Sequence, residues 1–194
     1  FSAGLFEETI GVGARALLVD CPPLYHRPGL YNSGGVDFAD NALRFAFLSK
    51  AALAAAVAQE LRPDVIHGHD WQAGLLPAYL QLWGGARPAT VLTVHNLAFA
   101  GRFHPILMSS VGLPHSLFSV YGVELYGAMS YLKAGLFYAD RLTTVSPTYA
   151  REIQTPQYGY GLDNSLRARG DAITGILNGV DYEEWDPRRD RYLP

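Results

Sequence analysis

Cysteine is nearly absent. Cys21 stands alone in 194 residues, which excludes an internal disulfide and fits a reducing, cytoplasmic setting. Positive charge is short as well: 15 Lys and Arg against 18 Asp and Glu give a formal charge of −3 and a pI near 6.1, so no basic face for nucleic acid is expected. No apolar run reads as a membrane span, and Phe1 does not open a signal peptide, so no membrane partner is expected. No glycine-rich phosphate loop follows a visible strand; Gly11-Val12-Gly13 precedes one instead. A nucleotide phosphate would then be held by residues outside these 194. A glycoside hydrolase wants two carboxylates about one bond, and Asp70 finds no second at the other strand ends. Ser146, between Val145 and Pro147, lacks the small neighbours of a nucleophile elbow.

What is present is a chain 49% hydrophobic, long enough for one domain with a real core. Phe1–Ile10 and Val12–Asp20 read as a hairpin about Gly11, and the proline- and glycine-rich stretch from Cys21 to Gly35 as a loop. Within that loop, 25–32 carries side chains that suit sugars and equally suit an ordinary surface. From Asp40 to Leu61, Leu43, Phe47, Ala51, Ala54, Val57 and Leu61 recur at helical spacing, widened by Phe45 and Leu48, with Asp37 or Asp40 as cap; this helix reads as largely buried core with no chemistry.

The chain is organised around residues 64–74, Asp-Val-Ile-His-Gly-His-Asp-Trp-Gln-Ala-Gly. Val65 and Ile66 read as a buried strand that Gly68 stops; His69, Asp70, Trp71 and Gln72 then crowd the turn before a helix running to Trp83. Such a cluster presents a ligand in an open parallel sheet, or is a polar turn with Asp70 capping the helix. The strand 90–94 ends in His95-Asn96, completing a βαβ unit whose two strand ends share one mouth. Residues 97–123 are expected to hold short helices or a lid, their aromatics packing rather than stacking on sugar. A helix over 124–139, a strand over 142–145, a short helix capped by Ser146, and a strand over 172–177 leading to Asn178 follow. His69-Asp70, His95-Asn96, Ser146 and Asn178 would then lie along one sheet edge, a neutral and anionic set that suits a polyol. Metal binding by His67, His69, Asp70 and His95 is not expected, because Trp71-Gln72 stands where a metallo-hydrolase pattern places a further Asp-His pair.

Residues 64–74 resemble a signature of bacterial glycogen synthases and plant starch synthases. So do 93–101, 131–140, 144–153, 176–181 and Trp185-Asp186-Pro187, in family order over nearly all the chain. The resemblance, closer to the bacterial branch, implies a GT-B glycosyltransferase of two Rossmann-like domains that moves glucose from ADP-glucose to the end of an α-1,4-glucan with retention. It implies catalytic roles for His95 and Asp70. It implies substrate contacts for Asn96, Asn178, Tyr31, Trp71, Gln72 and His69, with no metal and no cofactor beyond the donor sugar nucleotide. Residues 1–181 are expected to be an incomplete N-terminal, acceptor-side α/β domain with a mainly parallel sheet and flanking helices, and 182–194 the start of an interdomain linker. The family's opening strand with its Lys-Thr-Gly-Gly loop, and the second domain with its Arg, Lys and glutamate pair, are expected to lie outside this chain. That domain would be the partner in the cleft. A non-catalytic carbohydrate-binding module is the alternative.

Overall fold

β-Branched and apolar runs become strands where glycine or proline bounds them. The computed structural model describes residues 1–11 and 13–193. In chain order the main elements are β1 (Gly4–Ile10), β2 (Ala14–Asp20), α1 (Asn41–Ala58), β3 (Val65–His69), α2 (Leu76–Trp83), β4 (Ala89–Val94), α3 (Tyr131–Tyr138), β5 (Arg141–Thr144), α4 (Pro147–Glu152), α5 (Asp163–Arg169) and β6 (Ile173–Gly175). β1 and β2 pair antiparallel as a largely exposed ribbon, from Gly4 opposite Asp20 to Ile10 opposite Ala14. The second strand expected from Val12 begins at Ala14; Val12 itself lies outside the described residues.

β3 to β6 form one wholly parallel sheet in the order β6-β5-β4-β3. Its face carrying Leu92, Val94 and Leu142 is sealed by Leu132 and Leu136 of α3 with Ile153 and Leu162, all at most 1% exposed. A second cluster joins α1, α2 and α3 through Phe45, Leu53, Leu76, Tyr79 and Tyr131. The Tyr131 hydroxyl donates to the Ala42 carbonyl at 2.7 Å, tying α3 to α1. The turn after β3 lies so close to α3 that a Cβ on Gly74 would sit 2.1 Å from the Tyr131 carbonyl oxygen; only glycine allows that approach. On the sheet's other face, Thr93 Oγ1 bridges His67 Nε2 and Thr143 Oγ1, each at 2.6 Å, a polar ladder across β3, β4 and β5.

Several expectations are corrected. The helix α1 buries Ala42, Phe45, Ala46, Ser49 and Leu53, and leaves Val57 exposed, as is Leu61 beyond its end. Two helical stripes overlap in this alanine-rich segment, and packing selected the one with the smaller side chains. By length and composition α1 could cross a membrane, but its packed face and its buried Asn41 and Arg44 make it a core helix. Asp40 does not cap it; its carboxylate takes Arg27 Nη1 at 2.7 Å and Nη2 at 2.5 Å. The helix expected over 124–139 starts only at Tyr131. Tyr126 (φ 50°) and Gly127 (φ 76°) turn a short hairpin between Glu124–Leu125 and Ala128–Ser130, and Ser130 Oγ then caps α3 by accepting from Lys133 N. The strand expected over 172–177 is limited to Ile173–Gly175.

Candidate active site

Parallel register settles which side chains meet. His69 lies beside Thr93, so the residues leaving β3 and β4 emerge together at the carboxyl edge. The Asp70 N–H donates to the Thr93 carbonyl at 2.8 Å, and Asp70 Oδ1 accepts from His95 N at 2.7 Å and Asn96 N at 3.4 Å. Asp70 therefore does not cap the following turn, as one reading of the sequence had it; its carboxylate reaches across to the next strand end. Its backbone is at φ 53°, ψ −166°, a region left almost entirely to glycine, with a cost on the order of 1–3 kcal/mol. Among the described residues none bonds its Oδ2.

His69 Nδ1 lies 3.1 Å from His95 Nε2, so one imidazole donates and the other accepts. His67 stacks beneath His69 with ring centroids 4.4 Å apart. Burial first, then the neighbouring His67 and His95, lower the His69 pKa below the ordinary 6.5, while Asp70 opposes the shift; His69 is neutral at pH 7. Among the described residues no three His, Cys, Asp or Glu side chains are grouped to hold a metal ion. The histidines stack and bond in series instead of converging on a point.

Beside Asp70 a cleft of about 550 Å³ opens, lined by Tyr31, Asp70, Trp71, Gln72, Asn96 and Phe99 among others. Gln72 Nε2 donates to the Tyr31 hydroxyl at 2.8 Å. Trp71 packs edge-on against Phe45 at 4.6 Å and beside Tyr31 at 5.9 Å. Asn96 Oδ1 accepts from Ala98 N at 3.0 Å, which fixes the turn after β4. Five of the eight anticipated residues, Tyr31, Asp70, Trp71, Gln72 and Asn96, thus line this cleft, and His95 lines a neighbouring hollow with Asn96. His69 lines neither and bonds His95. Asn178 follows β6, two strands from β4, and borders neither this cleft nor the hollow beside it. Ser146 serves as a cap, accepting from Tyr149 N at 2.9 Å.

The sequence reading missed what holds Tyr31. Arg44, 3% exposed in α1, donates to the carbonyls of Leu24 at 2.7 Å and Leu30 at 2.8 Å and to Asn41 Oδ1 at 2.6 Å, while Asn41 Nδ2 donates to the Tyr31 carbonyl at 2.8 Å. Asn32, Asp37, Asn41 and Arg102 also line the cleft and were not anticipated. The available signal was an asparagine and an arginine in the first turn of a mostly apolar helix. Of the aromatics in 97–123, Phe103 packs on Tyr131 at 4.8 Å, whereas Phe99 and Tyr121 are exposed.

Residues 2–168 match the family model described as starch synthase catalytic domain. The chain is 50% identical over 185 residues to glycogen synthase 2 of Bradyrhizobium diazoefficiens, covering 93% of this chain and 38% of that protein. It is 53% identical over 184 residues to a glycogen synthase of Rhodopseudomonas palustris strain HaA2, covering 92% and 38%. With the catalytic domain of starch synthase IV from Arabidopsis thaliana, solved bound to ADP and acarbose, it superposes at a TM-score of 0.81 and 26% identity, over 98% of this chain and 40% of that one. The chain therefore spans well under half the length of the relatives it matches.

Proposed function

The chain belongs to the starch synthase catalytic domain family, and on that premise we propose that it is the acceptor-side wall of a retaining glycosyltransferase. The whole protein would transfer glucose from ADP-glucose to the non-reducing end of an α-1,4-glucan, in the cytoplasm, without a metal or resident cofactor. Residues 1–181 form that wall in this reading, and 182–194 lead towards the part of the protein that faces it. The observation that carries the proposal is the joint emergence of Asp70 and His95 at one sheet edge, beside a cleft walled by Tyr31, Trp71 and Gln72.

Each group has a definite task. Asp70 Oδ2 accepts a sugar hydroxyl, and Oδ1 holds the His95 backbone. The His69 Nδ1–His95 Nε2 contact couples the tautomers of the two rings, so that His95 turns its other nitrogen to the sugar and supports developing charge at the reacting centre. Tyr31 and Trp71 offer ring faces, and Gln72 and Asn96 supply amide edges that fix orientation. The test is ADP release by the full-length protein given ADP-glucose and a glucan primer. Release that falls in Asp70→Asn and His95→Ala while the melting temperature holds supports the reading. Binding of glucan without any ADP release would favour the non-catalytic carbohydrate module.

A further inference from the structure

Trp71 walls the cleft, and the residue against its indole is a glycine. A Cβ on Gly101 would stand 2.6 and 2.8 Å from Cε3 and Cδ2 of the Trp71 ring, and 3.0 Å from the Trp71 Cβ. We propose that Gly101 is a positioning residue: its bare backbone sets how far the indole projects into the cleft, and so the width open to the glucan acceptor. The proposal rests on the glucan reading above.

The backbone side of this contact is anchored. The Ala100 carbonyl accepts from Ser130 Oγ at 2.8 Å and from Leu132 N at 3.2 Å, and the Gly101 carbonyl accepts from Tyr131 N at 3.0 Å. Ser130, Tyr131 and Leu132 are fully buried, so residues 100 and 101 are tied to the start of α3. Gly101 is also at φ 56°, a left-handed backbone that strains any residue with a Cβ. The indole side is held as well. Trp71 meets Phe45, which is buried, with ring centroids 4.6 Å apart, and Phe103 at 5.9 Å. Phe103 in turn packs on buried Tyr131 at 4.8 Å.

The packing gives the direction in which a methyl group at 101 would drive the ring. One of the close contacts is to the Trp71 Cβ, and rotation about χ1 leaves that atom in place, so a new rotamer does not relieve it. The side chain has to shift as a whole. Anchored backbone lies on one side of it and the Phe45 and Phe103 rings on others, and the cleft is the side left open; Trp71, Gly101, Phe103 and Tyr31 all line it. A close-packed interior passes such a displacement on instead of absorbing it. The indole then closes on Tyr31, whose ring lies 5.9 Å away, and narrows the cleft. Because this wall meets the acceptor, the glucan primer feels the change and ADP-glucose does not.

The experiment follows ADP release from ADP-glucose with maltoheptaose as primer, in the full-length protein and in its Gly101→Ala, Trp71→Leu and Gly101→Ala/Trp71→Leu variants. Gly101→Ala is expected to raise KM for maltoheptaose about tenfold and to leave KM for ADP-glucose within about twofold. In the Trp71→Leu background the same substitution is expected to move KM for maltoheptaose by less than about twofold, because no indole remains to be pushed. Melting temperature falls in both backgrounds, since φ 56° strains alanine with or without the indole. A lower melting temperature with unchanged KM for maltoheptaose confines Gly101 to the fold and overturns the proposal. An equal rise in both backgrounds overturns it too, because the effect then does not pass through Trp71, as does a rise in KM for ADP-glucose alone. If Gly101→Ala folds only where Trp71 is replaced, Gly101→Ala/Trp71→Phe decides: KM for maltoheptaose above that of Trp71→Phe supports the proposal, and an equal KM overturns it. Failure of Gly101→Ala to fold in either background also overturns it, leaving backbone strain as the whole effect. A folded, unsubstituted full-length protein that releases no ADP overturns the glucan reading and this proposal with it.

Discussion

Two aspartates mark opposite ends of the parallel sheet, and they are held in opposite ways. Asp140, at the amino edge before β5, has both oxygens satisfied: Arg87 Nη2 donates to Oδ1 at 2.8 Å, and Arg87 Nη1, Thr90 N and Thr90 Oγ1 donate to Oδ2 at 2.7, 2.7 and 2.9 Å. The Arg87 guanidinium, against some opposition from burial, and then the Thr90 donors hold its carboxyl well below the usual carboxylate range. Arg169 completes that corner by donating to the carbonyls of Leu136, Phe137, Ala139 and Asp140 at the end of α3. Asp70, at the carboxyl edge, has one oxygen engaged, one without a partner among the described residues, and a strained backbone. A carboxylate that the fold satisfies completely stabilises the fold. One left half satisfied, on a backbone that costs free energy to hold, is available to a ligand.

Exchanging each aspartate for asparagine is the sharpest way to break this contrast. In the full-length protein Asp70→Asn is expected to lower turnover about 100- to 1,000-fold, as for loss of one preorganised electrostatic contact, with little change in melting temperature. Asp140→Asn is expected to cost about 2 kcal/mol in denaturant unfolding and to leave the turnover of the folded fraction unchanged, because its partners lie at the other end of the sheet. If the two substitutions gave the same profile, the division of roles would be wrong.

A smaller effect sharpens the comparison from the cleft side. Arg44→Met keeps the helix and most of the volume but leaves the Leu24 and Leu30 carbonyls without their donor. Stability should fall by about 3 kcal/mol, and KM for glucan primer should rise more than kcat falls, because Tyr31 loses its anchor. Unchanged KM in a destabilised variant would remove Tyr31 from the binding surface.

The smallest effects lie in the pH dependence of stability, and the two ends again differ. Asp140 has a depressed pKa, so its contribution is complete above the ordinary 3.8 and is lost as pH falls below it towards the folded value. His69 also has a depressed pKa, but as a base: the unfolded chain takes its proton first, so stability declines once pH falls below 6.5. Melting temperatures measured from pH 7.5 to 3 should show a shallow decline from 6.5, which His69→Gln flattens, and a steeper one below 4, which Asp140→Asn flattens.

Much of the candidate site was legible because strand ends announce themselves. Val65-Ile66 and Thr90 to Val94 are runs rich in β-branched residues, and parallel pairing places their ends together whatever lies between them. The first is an edge strand with Val65 exposed, not buried as expected, and it runs through Gly68 to His69 instead of stopping at the glycine. The helix over 124–139 was misread because Leu125, Met129, Leu132 and Leu136 keep helical spacing through a hairpin. All four are buried, but the left-handed turn at Tyr126-Gly127 decides the backbone. Asp70 was misjudged as a possible cap for a related reason: a capping pattern in sequence does not say which N–H groups the carboxylate will meet.

The sequence by itself determined the family, the order of strands and helices around the βαβ unit, and the residues that leave β3 and β4. These depend on local composition and on motifs that run continuously along the chain. Only the tertiary structure decided that Asp70 reaches the backbone of residues 95 and 96, that His69 bonds His95, that buried Arg44 stations Tyr31, and that Asn178 stands two strands away. Each of these is a contact between segments far apart in sequence. Its partner is chosen by register, by close approach and by the need of buried polar groups for hydrogen bonds, none of which is written in the spacing of residues along one segment.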